Sequence, residues 1–536
     1  MKLRTPCVLR EASYYTRMGA GLARYLRAPA EPNPLEAIRA RVENRETTFL
    51  EVVRRAIFSN PEHPYREMFR LAGCEEGDLA DSVRRRGLES TLVQLRGNGV
   101  WLDHDEFKGI KPIVRSGKEI TCTAQDFWNP LAKGLLTASS GGSRSKGTRS
   151  PRSAGELALR EAHHALRCHE FDLAGRVQVE VKAILPSTTG LNPCLRAARA
   201  GTPIERWFVP GGSWRSSSHY RMATYALVLW AKALGAAVPM PRQLPWNDFS
   251  PVAEWIARRR AAGVACVVGA TASAGARIAR AALEHGFDIR GTQFLLNGEP
   301  LTDAKGAVMK AAGCEATSHY GISEIGGIGS GCRRMVNRSC VHLFRDSVAA
   351  INYRRRAPFA DVDVNAILFT TLLPSAPHLF INVDMQDCGV IQPAACDCSY
   401  SQVGLTVQVS DIHSYGKLTG LGITLLGTHL AGLIEDVLPR RLGGGPGDCQ
   451  LVQSESGADT TLSLRLSPRL KLDSLDRARE CFLDELHQVY GGSLAARTWT
   501  HANAIEVLVA EPLNTLSGKV LPLHLVRENA RSTHAS

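Results

Sequence analysis

The chain has 536 residues, 44% hydrophobic and 22% charged, which supports about two to four packed domains and excludes wholesale disorder. Its net charge is +12, but Lys and Arg are dispersed and aromatics reach only 6%. With no zinc-finger spacing and no basic tract, an anionic small substrate is expected and nucleic acid is set aside as a partner. No run approaches the roughly 18 uninterrupted apolar residues of a membrane span, and the basic N-terminus lacks a signal-peptide core. A soluble, cytoplasmic protein is therefore expected, with no membrane partner and with its 14 cysteines as thiols or metal ligands.

Residues 1–135 read as mostly helical and charged. Within them, YREMFRLAGCEEGDLADSVRRRG predicts two short amphipathic helices, with Gly73 as a stop and Asp78 as a first-turn acid. The texture changes at 136–153, LTASSGGSRSKGTRSPRS, with six serines and three glycines. Its composition suits a linker, but patterned sequence resumes on both sides. In the middle, VQVEVKAIL (177–185) and GVACVVGA (263–270) predict buried strands, 273–286 a helix, GTQFLLNGEP a strand ending in a glycine turn, 301–312 a helix, and ATSHYG another strand. This alternation predicts βαβ units and a parallel sheet that binds ligands at the carboxyl ends of its strands. Residues 362–392 read as antiparallel strands with Pro-containing turns, and the last 120 or so alternate strand and helix.

Four motifs carry chemistry. The first, TASSGGSRSKG, offers Thr137, Ser139, Ser140, Gly141, Gly142, Ser143 and Lys146. Such a loop can wrap N–H groups, hydroxyls and one ammonium around phosphate oxygens, although it is not the P-loop spacing. The second pairs Gly298-Glu299-Pro300 with His319-Tyr320-Gly321-x-Ser323-Glu324. Two parallel strand ends would share a crevice in which Tyr320 covers a purine and Glu324 holds a metal on phosphates, or both are ordinary turns. The third is Asp387, where an acid before a glycine can accept both ribose hydroxyls or simply shape a β-turn. The fourth is Lys519 in LSGKV, a position where a lysine is usually just solvated.

In this order the motifs resemble those of the AMP-forming adenylate ligases, especially the phenylacetate–CoA ligase branch. The resemblance spans about residues 137 to 519, and YGISE and SGK are its specific parts. It implies an α/β protein whose large N-terminal domain, 1–415, combines parallel α/β subdomains with a β-rich one. A small mobile α+β C-terminal lid, 416–536, would follow. It also implies ATP, Mg²⁺ and CoA as cofactors or co-substrates and a carboxylic acid as substrate. Lys519 and Glu324 would be catalytic. The Ser-rich loop, Gly298, Glu299, Pro300, His319, Tyr320, Gly321, Ser323, Asp387 and His413 would bind nucleotide. His413 stands where the family has an arginine, and the acidic hinge pair is missing. The implied reaction is acyl-adenylate formation with release of pyrophosphate and transfer to a CoA thiol. The alternatives are an amine or protein thiol as acceptor, and a degenerate nucleotide-binding protein without catalysis.

The acid pocket of such ligases implies residues around 214–245 and 295–325, here including Trp214, His219, Trp230 and His319, which suit an aromatic acid or belong to the core. Separately, Cys396-x-Cys398 can offer two thiolates to one metal, and Cys332 with His342 could complete a closed, structural Cys₃His zinc site. Cys388 and Cys340 are substitutes in that set. His163, His164 and His169, on one helical stretch, read as surface or core-edge residues, and GGGPGD at 443–448 as a turn.

Overall fold

The computed structural model describes residues 5–132, 134–139, 149–185, 187–210, 218–245, 248–335, 339–356, 363–415, 417–420, 423–456, 459–488, 505–515 and 519–527. One twelve-stranded sheet forms its backbone. In chain order its strands are β1 (Val177–Val181), β2 (Arg206–Val209), β3 (Pro241–Gln243), β4 (Cys266–Thr271), β5 (Gln293–Asn297), β6 (Glu315–Ile322), β7 (Gly326–Ser330), β8 (Cys340–Leu343), β9 (Val348–Arg356), β10 (Asp363–Thr371), β11 (Val383–Pro393) and β12 (Val407–Ser414). Their spatial order is β9-β10-β11-β12-β8-β7-β6-β5-β4-β1-β2-β3. From β3 to β6 every pairing is parallel, and from β6 to β9 every pairing is antiparallel. The parallel and β-rich parts expected from the sequence are therefore one continuous sheet, joined at β6.

The helices that position the site have legible ends. Helix α1 (Ala154–Phe171) starts where the Ser153 hydroxyl accepts from the Glu156 N–H at 3.1 Å, and stops at Asp172 in the left-handed region. Helix α2 (Leu191–Arg199) buries Leu191, Cys194, Leu195 and Ala197. Helix α3 (Ala272–His285) is capped by Thr271 and closed by Gly286 at φ +69°. Its alanine- and glycine-rich face lets it lie close on the sheet, and a Cβ at Gly275 would come within 2.9 Å of Leu296. Helix α4 (Asp303–Ala311) is capped by Thr302. Together β4-α3-β5-α4-β6 is the predicted alternation.

Towards the N-terminus, helices Pro64–Leu71 and Glu76–Arg86 bracket Gly73 at φ +63°, and Asp78 closes a capping box with Glu75. Phe49, Tyr65, Phe69 and Phe107 from this helical region are fully buried with Ile367, Phe369 and Phe380 from the antiparallel half. Each such side chain contributes about 1.5–3 kcal/mol of burial. The 136–153 segment is not a linker on either flank. Gly134–Ser139 and Arg149–Ser153 pair as an antiparallel hairpin that feeds directly into α1. The first predicted strand, 177–185, ends at Val181.

A second, four-stranded sheet comprises β13 (Cys449–Ser456), β14 (Asp459–Leu466), β15 (Ile505–Val509) and β16 (Leu523–Arg527), in spatial order β15-β14-β13-β16. It has its own core around Leu451, Leu464 and Phe482. It is tied to the first unit by Arg280, whose guanidinium meets both Asp448 oxygens at 2.6 Å, and by Arg277, which donates to the Gly447 carbonyl. The GGGPGD segment is thus a turn that receives two arginines. Among the described residues, no helix is long and apolar enough to cross a membrane.

Candidate active site

The carboxyl end of β5 turns at Gly298, whose φ of +80° excludes most side chains. A Cβ there would also lie 3.0 Å from Cε and 3.5 Å from Nζ of Lys519. The lysine therefore lies across the one residue in this turn that has no side chain. Lys519 is held to Thr515 of the second unit: its N–H donates to Thr515 Oγ1 at 3.0 Å and its carbonyl accepts from the Thr515 N–H at 2.8 Å. Burial lowers the affinity of its amine for a proton, and Glu299 partly opposes this.

Glu299 ties three elements together. Its carboxylate accepts from the Ser273 N–H (2.9 Å) and hydroxyl (2.8 Å) at the start of α3, where helix dipole and free N–H groups favour an anion. It also accepts from the Val520 N–H at 3.2 Å, next to Lys519, and lies 3.6 Å from Lys305 Nζ. Lys305 is buried and bridges to Glu435 at 2.9 Å. Burial opposes its charge, but the two carboxylates outweigh this and hold it protonated. Pro300 beyond them is exposed.

Strand β6 bulges between Tyr320 and Gly321, and a Cβ at Gly321 would strike the Gly326 carbonyl at 2.8 Å. The Tyr320 hydroxyl donates to Asp387 Oδ2 at 2.5 Å; burial, then the carboxylate, push the phenol pKa far up. Asp387 on β11 pairs with Ser414 on β12 and Cys388 pairs with His413, so His413 leaves the sheet on the face opposite to the Tyr320–Asp387 pair. Burial depresses the His413 pKa against the pull of Asp411 and Asp303, so the position of the expected arginine carries a neutral imidazole near pH 7.

Glu324 is buried, and Lys108 Nζ meets its Oε1 at 2.6 Å. Burial, the largest single influence, would raise its pKa, but the charge and hydrogen bond of Lys108, a backbone hydrogen bond and His378 together lower it, so the carboxylate is ionised. The Glu324 carbonyl accepts from His378 Nδ1 at 2.9 Å. Ser323 is half-buried beside it. Thr137 and Ser139 sit on the hairpin strand Gly134–Ser139, while Ser140, Gly141, Gly142, Ser143 and Lys146 lie outside the described residues. Of the residues expected around the acid, His219 and Trp230 are exposed on the helix Ser218–Ala233, and Trp214 lies outside the described residues. His163 and His164 are buried rather than on the surface or core edge, and only His169 is exposed.

Sequence reasoning missed Lys108, Lys305 and Ser273. The capping box Asp103-x-x-Glu106 announces the short helix before Lys108, but nothing local links that lysine to Glu324, 216 positions away.

Below the site, Cys332, His342, Cys396 and Cys398 bring their ligand atoms within 4.8 Å of one another. Cys332–Cys396 and Cys396–Cys398 sulfurs lie 4.0 and 3.5 Å apart, and His342 Nε2 lies 3.2 and 3.1 Å from Cys396 and Cys398. A tetrahedral zinc with its usual bond lengths needs edges of roughly 3.8 Å for S–S and roughly 3.5 Å for S–N. The residues fit such an ion. The other ring nitrogen, Nδ1, donates to the Leu405 carbonyl at 2.8 Å, which directs Nε2 at the thiols. Buried Glu170 accepts from the Arg333 N–H (2.9 Å) and the Ser399 N–H (3.0 Å), joining the two cysteine loops. Four protein ligands leave no open position, so a bound zinc would be structural. Cys340 and Cys388 are outside this cluster.

No family model and no curated protein matches the sequence. Among solved structures, the chain is similar to a 2-hydroxyisobutyryl-CoA ligase in complex with 2-HIB-AMP and CoA (14% identity, TM-score 0.42, covering 94% of this chain and 92% of that one). It is also similar to an acyl acid amido synthetase (9%, 0.45, 90% and 91%) and to the Bacillus subtilis O-succinylbenzoate coenzyme A synthetase (11%, 0.40, 73% and 70%). These structures are adenylate-forming ligases. All three TM-scores lie below 0.5, and the functional reading rests on the residues of the site.

Proposed function

We propose that the chain is an AMP-forming ligase that activates a carboxylic acid with ATP and passes the acyl group to the thiol of CoA. The observation that carries this is the convergence, at the carboxyl ends of β5 and β6, of Lys519 over Gly298 with the Tyr320–Asp387 pair. A carboxylate is a poor electrophile because its leaving group would be oxide. Attack of its oxygen on the α-phosphorus of ATP forms an O–P bond, breaks the bond to the bridging oxygen and releases pyrophosphate.

Two anions must meet in that step, so positive charge placed in advance lowers the barrier. Lys519 supplies it: its turn is clasped to Glu299, which brings the amine over the strand end. Asp387 accepts the ribose hydroxyls, held by the Tyr320 hydroxyl, and the Tyr320 ring flanks the base. The 137–147 loop holds the leaving pyrophosphate. Glu324 is the residue that would hold Mg²⁺, which shields phosphate charge, and Lys108 keeps that carboxylate ionised. In the second step the CoA sulfur attacks the acyl carbon and AMP leaves, the thiol losing its proton. The C-terminal unit, 416–536, acts as a lid, and entry of CoA requires the contacts of Glu435, Asp448 and Val520 with the first unit to open.

The test is pyrophosphate release with ATP, Mg²⁺ and hydroxylamine across aryl, aliphatic and amino acids. Acid-dependent release is expected to fall by about 10²–10³-fold in Lys519→Ala, the range for removing one preorganised charge. ATP binding without release for any acid would sink the reading. Replacing hydroxylamine by CoA, amines or a carrier protein then identifies the acceptor, with the CoA thioester as the expected product.

A further inference from the structure

Strand β11 carries a second acid, Asp384, three positions before Asp387, and the reaction derived above does not use it. Asp384 is 1% exposed. Its Oδ1 accepts from the Gln386 N–H at 2.8 Å. Its Oδ2 accepts from Arg355 Nη1 of β9, also at 2.8 Å, and from the Tyr415 hydroxyl. The phenol is the donor, because burial and then the Asp384 charge push its pKa far up. Tyr415 directly follows β12 and is itself buried, packed with Val364 and Ala366 of β10.

Between the two acids, Gln386 stands at φ +65°, in the left-handed region that a residue with a side chain seldom adopts. Such a conformation persists where its surroundings over-determine it. Here they form a closed ring. Asp384 holds the Gln386 N–H and the Tyr415 hydroxyl, and the Tyr415 N–H returns to the Gln386 carbonyl at 2.9 Å, where the Ser414 hydroxyl also donates at 3.2 Å. The ring encloses a bulge. Ala366 of β10 pairs with Cys388 and Leu368 pairs with Asp384, so β11 carries extra residues across this stretch, and Asp387 is one of them. A bulge redirects the side chains within it. Asp387 follows Gln386 directly, and its Oδ2 is met by the Tyr320 hydroxyl at 2.5 Å.

We infer that Arg355, Asp384 and Tyr415 form a brace that aims Asp387 at the ribose of the bound nucleotide, with Tyr415 as a positioning residue acting through the backbone of Gln386. This deepens the adenylation reading and rests on it for the ribose at Asp387. Arg355 fixes Asp384 from β9, Asp384 fixes Tyr415 at the end of β12, and both fix the turn from which Asp387 projects. The conformation of one glutamine thereby sets how well two hydroxyls of the nucleotide are read.

The experiment compares ATP with 2′,3′-dideoxy-ATP on the full chain, in wild type and in Tyr415→Phe, which removes the hydroxyl and keeps the ring. Both nucleotides are titrated calorimetrically with Mg²⁺, and pyrophosphate release is followed across the acid panel. Wild type should favour ATP by about tenfold or more in Kd and in KM, the range for hydrogen bonds to a charged group. In Tyr415→Phe most of that preference should vanish. The KM for ATP rises, while the KM for dideoxy-ATP and for the acid stays within about twofold. Adding Gln386→Gly, which adopts a positive φ without strain, should restore part of the preference. A merely structural role would weaken both nucleotides alike and leave their ratio unchanged. If Tyr415→Phe does not fold, Asp384→Asn takes its place. A wild type that does not discriminate, or a ratio indifferent to the variant, overturns the brace, and acid-dependent pyrophosphate release would then leave adenylation standing. A Tyr415-dependent preference with no pyrophosphate from any acid upholds the brace and removes the adenylation reading. Neither nucleotide binding nor release removes both.

Discussion

The clasp around Glu299 and the basic residues between α1 and α2 differ in how their charge is answered. At the clasp, Lys305 sits between Glu299 and Glu435, and Glu299 also accepts three donors from α3 and the Lys519 turn. Between α1 and α2, half-exposed Arg196 and the Nε of Arg167 have no acceptor among the described residues. A closed set of partners holds a geometry, here the placing of Lys519 on the first unit. The Cys₃His cluster is intermediate: its protein geometry is closed around a point where an ion fits.

The largest expected effect comes from that cluster. Structural zinc is coupled to folding, with apparent binding of about 10 kcal/mol or more in small peptides. We expect close to one zinc per chain by elemental analysis, and a large loss of thermal stability after chelation or in Cys398→Ser. A purified, stable protein without metal would instead make these four side chains ordinary core residues.

Breaking the clasp comes next. Lys305→Met leaves Glu299 and Glu435 buried without their cation and should cost about 3–5 kcal/mol, the usual penalty for half of a buried pair. Adding Glu435→Gln should return part of it. If denaturant unfolding of the single variant matches wild type, the clasp is not closed in solution. Adenylation should fall in parallel, because Val520 and Lys519 are held through the same carboxylate.

A smaller effect sharpens the contrast from the side of proton binding. His63 is buried, and burial lowers its pKa to about 4 from 6.5. His164, His319 and His413 are also depressed, burial leading in each. A depressed histidine means that the unfolded chain binds the proton first. Stability is therefore full above about pH 6.5 and is lost as pH falls below it, for His63 until about pH 4. That one ring accounts for on the order of 3 kcal/mol across this window. His63 Nδ1 accepts from the Tyr65 N–H as a helix cap. His63→Asn keeps a capping side chain and removes the titration, so the urea midpoint should decline less steeply between pH 6.5 and 4. An unchanged slope would place the proton uptake elsewhere.

Local pattern carried a large part of the fold. Thr271, Thr302 and Gly286 cap helices where spacing places them, and the glycine turn after LLN sits at φ +80°. Motif order named Tyr320 and Asp387, which a hydrogen bond joins, and Lys519, which lies over Gly298, and C-x-C with Cys332 and His342 named the cluster. The hairpin at 134–153 was less legible, because Ser-rich composition resembles a linker when its strand partner is not yet known. His163 was read as surface or core edge, yet it packs against Phe344 and bonds Asp346 from 183 positions away.

What the sequence determined by itself is therefore what depends on neighbours along the chain: helix ends, strand alternation, the identity of reactive side chains and their order. Only the tertiary structure decided which charges meet. Lys108 reaches Glu324, Lys305 reaches Glu435, and Arg196 reaches no carboxylate among the described residues, although all three look alike as basic residues on short helices or their ends. Electrostatic pairing depends on distance and burial, and these follow from how the sheet brings distant segments together.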